Sequence, residues 1–339
     1  MAADTTTCLI IGGGLAGLMA AVTLQRRGLH PIVLDKGYGI GGRLASRRVR
    51  SNRGNIGLFD YGAQQFTVGT PTFQSWVDDW LQQGIVRTWS QGFADATGGF
   101  RQSDHPHYCG VVSNRAIAQH LAQTLEIHQP QQVTRLDWQG EQWVAYTESA
   151  QTFSGDVALL TPPLPQTLGL LALSHIPIPD DVAPRLQIVT YAPCIAVLAL
   201  LAQESAIPAP GGLYLNGEPL QWLASNSQKG ISPGGYGVTL HGGPRFSQAY
   251  WEADNAAIAA HLIAAAQPWL NAPVMAHHVH RWKYSQPLQR FGDAFTQINR
   301  PGPLFLAGDA FAPEAAASTL EGAALSGLAA ARAIADAYR

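Results

Sequence analysis

Cys8-Leu9-Ile10-Ile11-Gly12-Gly13-Gly14-Leu15-Ala16-Gly17 stands near the start of the chain, and Pro31-Ile32-Val33-Leu34-Asp35 follows it. The apolar run Cys8–Ile11 reads as a strand buried on both faces, as in a parallel sheet. Residues Ala16 to Arg27, rich in Ala and Leu, predict a helix stopped at Gly28. Pro31–Leu34 is a second short strand. Strand, glycine turn, helix and strand within about 30 residues make a parallel βαβ unit. Inside it the glycines fit G-x-G-x-x-G. Gly12 permits the tight turn, Gly14 lets a pyrophosphate approach the backbone, and Gly17 allows close helix–strand packing. The helix that opens at Leu15 and Ala16 points its N-terminus at the phosphates. Asp35 stands where an acid accepts both ribose hydroxyls, which disfavours a 2′-phosphate on the bound adenosine. The stretch predicts a dinucleotide cradle.

Working outward, Gly39-Ile40-Gly41-Gly42-Arg43 adds backbone and one cation near the same phosphates, with Lys36 at the adenosine end. NAD and FAD both suit this unit. The far end of the chain separates them. Leu304-Phe305-Leu306-Ala307-Gly308-Asp309 is an apolar strand ending in Gly-Asp, and Glu321-Gly322-Ala323-Ala324 opens the last helix. Asp309 suits a ribityl hydroxyl, and a helix N-terminus stabilises negative charge on a reduced flavin ring. A nicotinamide-dependent dehydrogenase would leave that segment unexplained, and no second G-x-G-x-x-G provides a reductase domain.

Between these ends the pattern changes. Thr67 to about His105 is aromatic-rich and less regular, with Phe73, Trp76, Trp80, Trp89 and Phe93. Asn114–Leu125 is helical. Val133–Trp138 and Trp143–Thr147 alternate like a hairpin turned at Gln139-Gly140. Asp156–Leu160 is a strand ended by Thr161-Pro162-Pro163, read as a cofactor-contacting crossover. Ile195–Leu201 is a strand and Ala249–Ala266 a helix. His105-Pro106-His107 reads as a turn back toward the nucleotide-binding domain. The expected class is mixed α/β: a Rossmann-like FAD-binding domain (1–66, 106–165 and 277–339) with an inserted mixed-sheet substrate domain (67–105 and 166–276).

Composition narrows the partners. Of 339 residues, 46% are apolar and 13% charged, and the formal net charge is −2, so no overall field attracts nucleic acid or anionic lipid. The 35 glycines and 22 prolines follow no repeat, which excludes collagen. Cys8, Cys109 and Cys194 offer no close pair, so neither a disulfide scaffold nor a CxxC couple is expected. No Lys or Arg precedes Arg26, and Asp4 sits where a signal peptide carries its basic residues. No apolar run reaches a membrane-spanning length. The expectation is a cytoplasmic protein without a membrane span.

Gly12–Gly17 with Asp35, Gly41-Gly42-Arg43 and Gly308-Asp309 together resemble the flavin amine-oxidase superfamily. More narrowly, Phe59-Asp60-Tyr61-Gly62-Ala63-Gln64-Gln65-Phe66-Thr67, Trp222-Leu223-Ala224-Ser225-Asn226-Ser227 and His280-Arg281-Trp282-Lys283-Tyr284-Ser285-Gln286-Pro287 resemble the renalase family, in particular its bacterial branch. The resemblance implies FAD as cofactor, with Gly62, Ala63, Gln64, Gln65, Val133, Thr161, Gly322, Ala323 and Ala324 joining the contacts above. It also implies an activity: oxidation of 2- and 6-dihydro isomers of NAD(P) to NAD(P)+, with O2 reduced to hydrogen peroxide.

Covalent flavin attachment in some amine oxidases uses a cysteine near the C-terminal Gly-Asp. None stands there, so noncovalent FAD is expected. Amine oxidases commonly hold a water near flavin N5 with a lysine. Of Lys36, Lys229 and Lys283, the first belongs to the adenosine end, the second to a loop, and the third alternates with Trp282. None is placed at N5. Dihydropyridine oxidation asks less of the protein: a flat ring must be oriented and water excluded. Tyr61, Gln65, Phe66, Trp222, His241, Trp282 and Tyr284 are the pocket candidates. No side chain is assigned as a general base. His277, His278 and His280, like His105 and His107, lack nearby carboxylates or cysteines, so no metal is expected. Two alternatives remain: an amine oxidase or related flavin dehydrogenase on another small substrate, and a non-catalytic flavin-binding protein.

Overall fold

The structure, a computed structural model, describes residues 5–215 and 217–338; Asp4 lies outside them. The opening strand forms at Thr7–Ile11, its helix at Leu15–Arg26 and the second strand at His30–Leu34. They belong to a six-stranded sheet ordered Thr296–Ile298, Leu304–Leu306, Val157–Leu160, Thr7–Ile11, His30–Leu34, Glu126–His128. Every neighbouring pair is parallel except the first, which is antiparallel. Parallel strands end on one edge, so Gly12, Asp35, Thr161 and Gly308 all emerge together. That carboxyl edge is where open α/β sheets bind ligands. The final helix, Thr319–Ala337, crosses the first so closely that a Cβ on Gly327 would lie 2.1 Å from the Ala16 carbonyl oxygen.

The hairpin Val133–Trp138/Trp143–Thr147 forms as expected and gains a third antiparallel strand, Thr152–Gly155. The second large sheet has seven strands: Val274–Pro287, Tyr191–Leu201, Tyr236–Gly242, Leu220–Ser225, Gly212–Tyr214, Val86–Asp95, Phe100–Gly110. One parallel pair, Gly212–Tyr214 with Val86–Asp95, makes it mixed. His105-Pro106-His107 is not a turn. It continues the strand Phe100–Gly110, with His107 opposite Ser90. The expected boundaries at 106 and 277 therefore fall inside strands of this sheet.

Period-2 alternation divides the faces of the seven-stranded sheet. Ile195, Val197, Ala199, Leu213, Leu223, Val238, Leu240 and Val279 pack beneath the helix Asn255–Leu270. The expectation of one helix over 249–266 is corrected. A short helix ends at Ala249, and the long one restarts because Asp254 caps it, accepting from Ala257 N at 2.8 Å. The opposite face presents Trp222, Thr239, His241, His280 and Trp282. A two-stranded hairpin, Ser46–Arg50 with Ile56–Asp60, lies against this face through Val49 and Phe59. The chain then runs directly into Tyr61–Phe66, between the two large sheets.

Candidate functional site

The glycine turn has the shape its spacing demands. Gly12 has φ +106°, and a Cβ there would sit 2.6 Å from Thr161 Oγ1. A Cβ on Gly17 would lie 2.0 Å from the Gly12 carbonyl oxygen. Gly14 is different: a Cβ there would meet no atom within 4 Å, so the turn is open on that side. A ligand phosphate fits where that side chain would have grown. Asp35 accepts from Gly13 N at 2.6 Å through Oδ2 and from Gly37 N at 2.7 Å through Oδ1. Its carbonyl oxygen accepts from Gln131 N at 2.7 Å, which brings the segment before Val133 to the same edge. Lys36 lies outside, 3.4 Å from Gln166 Oε1. Thr161 turns inward and donates to the Ile11 and Gly12 carbonyls at 3.0 and 3.1 Å.

Gly41 (φ +116°) and Gly42 (φ +54°) fold the second glycine element over the first, and Gly41 N donates to the Gly13 carbonyl at 2.9 Å. Arg43 then reaches the other end of the chain. Its Nη1 lies 2.5 Å from Asp309 Oδ2 and donates to the Tyr284 and Ser285 carbonyls at 3.1 and 3.2 Å. Asp309 also accepts from the Tyr191 hydroxyl at 3.1 Å. In the last helix Gly322 sits against Ala312, Ala323 is half-buried, and Ala324 is fully buried in a core cluster. Burial of all three cysteines pushes their thiols up, Cys194 to about 12, so none carries a ready thiolate.

The pocket candidates divide into groups. Tyr61 stacks on Trp282 with ring centres 5.3 Å apart, and His280 meets both rings edge-on. The Tyr61 carbonyl accepts from Trp282 Nε1 at 2.9 Å and from His241 Nε2 at 3.1 Å. Burial pushes both His241 and His280 down to about 4, so both imidazoles are neutral. Gln65 Oε1 meets His107 Nδ1 at 2.9 Å. Trp222 packs against Phe93, Tyr214 and Trp89, and its buried Nε1 has no partner among the described residues. Tyr284 contributes its carbonyl to Arg43, and its ring lies edge-on to Tyr191. Phe66 stands apart: it is fully buried against Phe73 and Tyr108.

Several residues of this region had no assigned role. Lys229, read as a loop residue, is fully buried, with Nζ 2.7 Å from Asp60 Oδ2 and 2.5 Å from the Gln64 carbonyl. Burial pushes the Asp60 carboxyl up, against the pull of that ammonium. Glu321 is fully buried and accepts from Gly69 N, Thr70 N, Thr70 Oγ1 and Ala317 N. Arg115 lies against Gly39, where a Cβ would stand 2.2 Å from Nη2. Apart from the local Glu321–Ala317 bond, these contacts cross 76 to 252 positions of sequence, so no local pattern announces them. The one available signal was a charged residue inside an otherwise uncharged motif: Asp60 in Phe59–Thr67.

Gln64 Oε1 is also buried without a partner among the described residues. The open side of Gly14, the Arg43–Asp309 junction and these orphaned polar atoms fit an elongated dinucleotide whose two ends meet different segments. Among the described residues, no helix is long and apolar enough to cross a membrane, and no group of three metal-ligating side chains occurs.

Comparison with known proteins agrees with this architecture. Residues 10–80 match an NAD(P)-binding Rossmann-like domain, and residues 75–335 match the flavin containing amine oxidoreductase family. Renalase of Mus musculus is 25% identical over 317 residues, covering 88% of each chain. A putative protoporphyrinogen oxidase from Exiguobacterium sp. 255-15 superposes with a TM-score of 0.74 at 14% identity, covering 98% of this chain and 99% of that one. A triple mutant of putrescine oxidase gives 0.72 at 12% identity, with 99% of each chain covered. The chain belongs to the flavin containing amine oxidoreductase family, and its cofactor is FAD.

Proposed function

We propose that this protein is a renalase-type oxidase that converts 2- and 6-dihydro-NAD(P) to NAD(P)+, with O2 reduced to hydrogen peroxide. FAD is bound noncovalently. Gly12, Gly14, Leu15, Ala16, Gly17, Gly42 and Arg43 hold the pyrophosphate. Asp35 holds the adenosine ribose, with Lys36 and Val133 beside it. Gly62–Gln65, Thr161, Gly308, Asp309 and Gly322–Ala324 hold the flavin half. A bound flavin would supply the two-electron acceptor for a hydride from the substrate, with O2 as the final oxidant. The substrate loses one C–H bond with both its electrons, and its ring becomes an aromatic pyridinium. No proton leaves in that step, so no side chain must act as a base.

One observation carries this reading: an aromatic wall of Tyr61 and Trp282, with the cations Arg47 and Arg115 acting on Tyr61. Tyr61 and Trp282 present stacked rings, and His241 and His280 beside them are neutral. Such a wall orients a flat ring and excludes water. An alkylammonium ion would ask for a carboxylate near that wall rather than for the cations found there. Asp60, the carboxylate next in sequence to Tyr61, is committed to Lys229. The likeness to mouse renalase along most of the chain supports the same choice.

The test uses the purified flavoprotein. Borohydride-treated NAD+, which contains the isomeric dihydronicotinamides, is added anaerobically. The flavin absorbance near its visible maximum bleaches, and admitting O2 restores it with stoichiometric peroxide. Bleaching by an amine but not by the isomers would make the protein an amine oxidase. Flavin reduced by neither donor would make it a binding protein.

A further inference from the structure

The buried Lys229–Asp60 pair serves no step described above, yet it lies under the segment Gly62–Gln65. Three buried side-chain donors, one of them from the segment itself, bind carbonyls in or beside it. Lys229 Nζ binds the Gln64 carbonyl at 2.5 Å. Asn114 Nδ2 binds the Ala63 carbonyl at 2.6 Å. Gln64 Nε2 binds the Asp60 and Gly62 carbonyls at 2.8 and 3.1 Å. The donors are themselves fixed. Asp60 accepts from Asn114 N at 3.0 Å, the Trp89 ring lies 5.0 Å from Lys229 Nζ, and the Asp60 backbone is held by Asn226 and Thr239.

A trans peptide points its N–H opposite to its C=O. With the Ala63 and Gln64 carbonyls pinned inward, the N–H groups of Gln64 and Gln65 face the other way. Among the described residues neither has an acceptor, whereas Ala63 N and Phe66 N on either side both do. Two successive amides with no protein partner form a small electropositive concavity, a natural site for a ligand oxygen or nitrogen that gains negative charge.

We infer that Lys229 is a positioning residue: by holding the Gln64 carbonyl inward, with Asn114 holding that of Ala63, it presents the Gln64 and Gln65 amides as a two-donor site for the flavin. The Asp60 carboxylate is its counterion and removes the cost of an isolated buried cation. The assignment concerns the cofactor alone and does not depend on the dihydronicotinamide reading. The site stabilises the reduced, more negative flavin over the oxidised one. Loss of Lys229 therefore makes the flavin harder to reduce.

Lys229→Met combined with Asp60→Asn removes both charges together. Photoreduction against a reference dye gives the flavin potential. In the double variant the preference for reduced over oxidised flavin falls about tenfold, close to 30 mV for a two-electron couple. A lower melting temperature with an unchanged potential would show a structural pair only and overturn the assignment. A second measurement needs no variant. Amide hydrogen exchange of the wild-type holoenzyme is followed over residues 62–66, oxidised and dithionite-reduced. The Gln64 and Gln65 amides exchange at least threefold more slowly when the flavin is reduced. Equal rates in the two states overturn the assignment, whether or not the double variant folds.

Discussion

Arg43 Nη1 lies 2.5 Å from Asp309 Oδ2, joining residues 266 positions apart. The Asp309 side chain is almost wholly buried, at 3% exposure, and the Arg43 side chain is 28% exposed. One residue belongs to the second glycine element and the other to the closing Gly-Asp segment. Their contact fixes the distance between the two parts of the cradle. It also presents a cation and an anion side by side, suited to a ligand that carries a pyrophosphate next to a hydroxylated chain.

Asp309→Ala therefore acts on both fold and cofactor. It leaves Arg43 without its counterion and the Tyr191 hydroxyl without its acceptor. Breaking such a pair from one side costs about 3 kcal/mol. FAD retention on a desalting column falls, and thermal unfolding shifts downward. Retention equal to wild type would remove Asp309 from the cradle.

Two neighbouring glycines separate binding from folding. A Cβ on Gly14 meets open space, so Gly14→Val folds but retains little flavin. A Cβ on Gly17 meets the Gly12 carbonyl at 2.0 Å, so Gly17→Ala is overpacked and loses roughly 1–3 kcal/mol. Denaturant unfolding of the apoproteins and flavin content of the purified proteins give the two readouts. If Gly14→Val keeps its flavin, the cradle lies elsewhere.

How far these elements were legible depended on range. The first βαβ unit, the hairpin at 133–147 and the Gly-Asp strand rest on local spacing, and each appears within a few residues of its expected place. His105-Pro106-His107 misled because proline signals a turn. Strand pairing with Ser90 overrides that signal, at an edge strand where a missing N–H is tolerated. The restart of the helix at Asp254 turned on one capping side chain inside an Ala-rich run. Lys229 was invisible because its partner is 169 residues away, and an isolated lysine among Ser, Asn and Gly reads as solvated. Phe66 shares a motif with Tyr61, yet its ring packs with Phe73 and Tyr108 on the core side.

The neutral His241 makes stability depend on pH. Its folded value, about 4, lies below the ordinary 6.5, through burial first and Lys229 second, with the Tyr61 carbonyl opposing. The unfolded chain thus binds more protons between those values. The contribution is complete above about pH 7 and is lost as pH falls from about 6.5 toward 4. Its size is roughly 3 kcal/mol at most. Urea unfolding at pH 7.5, 6.0 and 5.0 shows a smaller decline for His241→Gln than for the wild type. Parallel declines would mean that His241 titrates normally.

Trp222 gives the sharpest separation of stability from activity. Its indole Nε1 is buried and has no partner among the described residues, and an unpaired buried donor costs about 1–3 kcal/mol relative to a bonded one. The ring is otherwise well packed against Phe93 and Tyr214, at 5.0 and 4.8 Å between centres. Trp222→Phe keeps an aromatic ring there and deletes the unpaired donor. A purely structural tryptophan would leave kcat/KM unchanged in that variant. A donor reserved for the substrate predicts the opposite pairing: equal or slightly higher stability, and kcat/KM lower by roughly tenfold, the worth of one hydrogen bond of about 1.4 kcal/mol. Unfolding midpoints and anaerobic flavin reduction by the dihydronicotinamide isomers measure the two sides. Unchanged reduction kinetics would return Trp222 to the core and leave Tyr61 and Trp282 as the wall that meets the substrate.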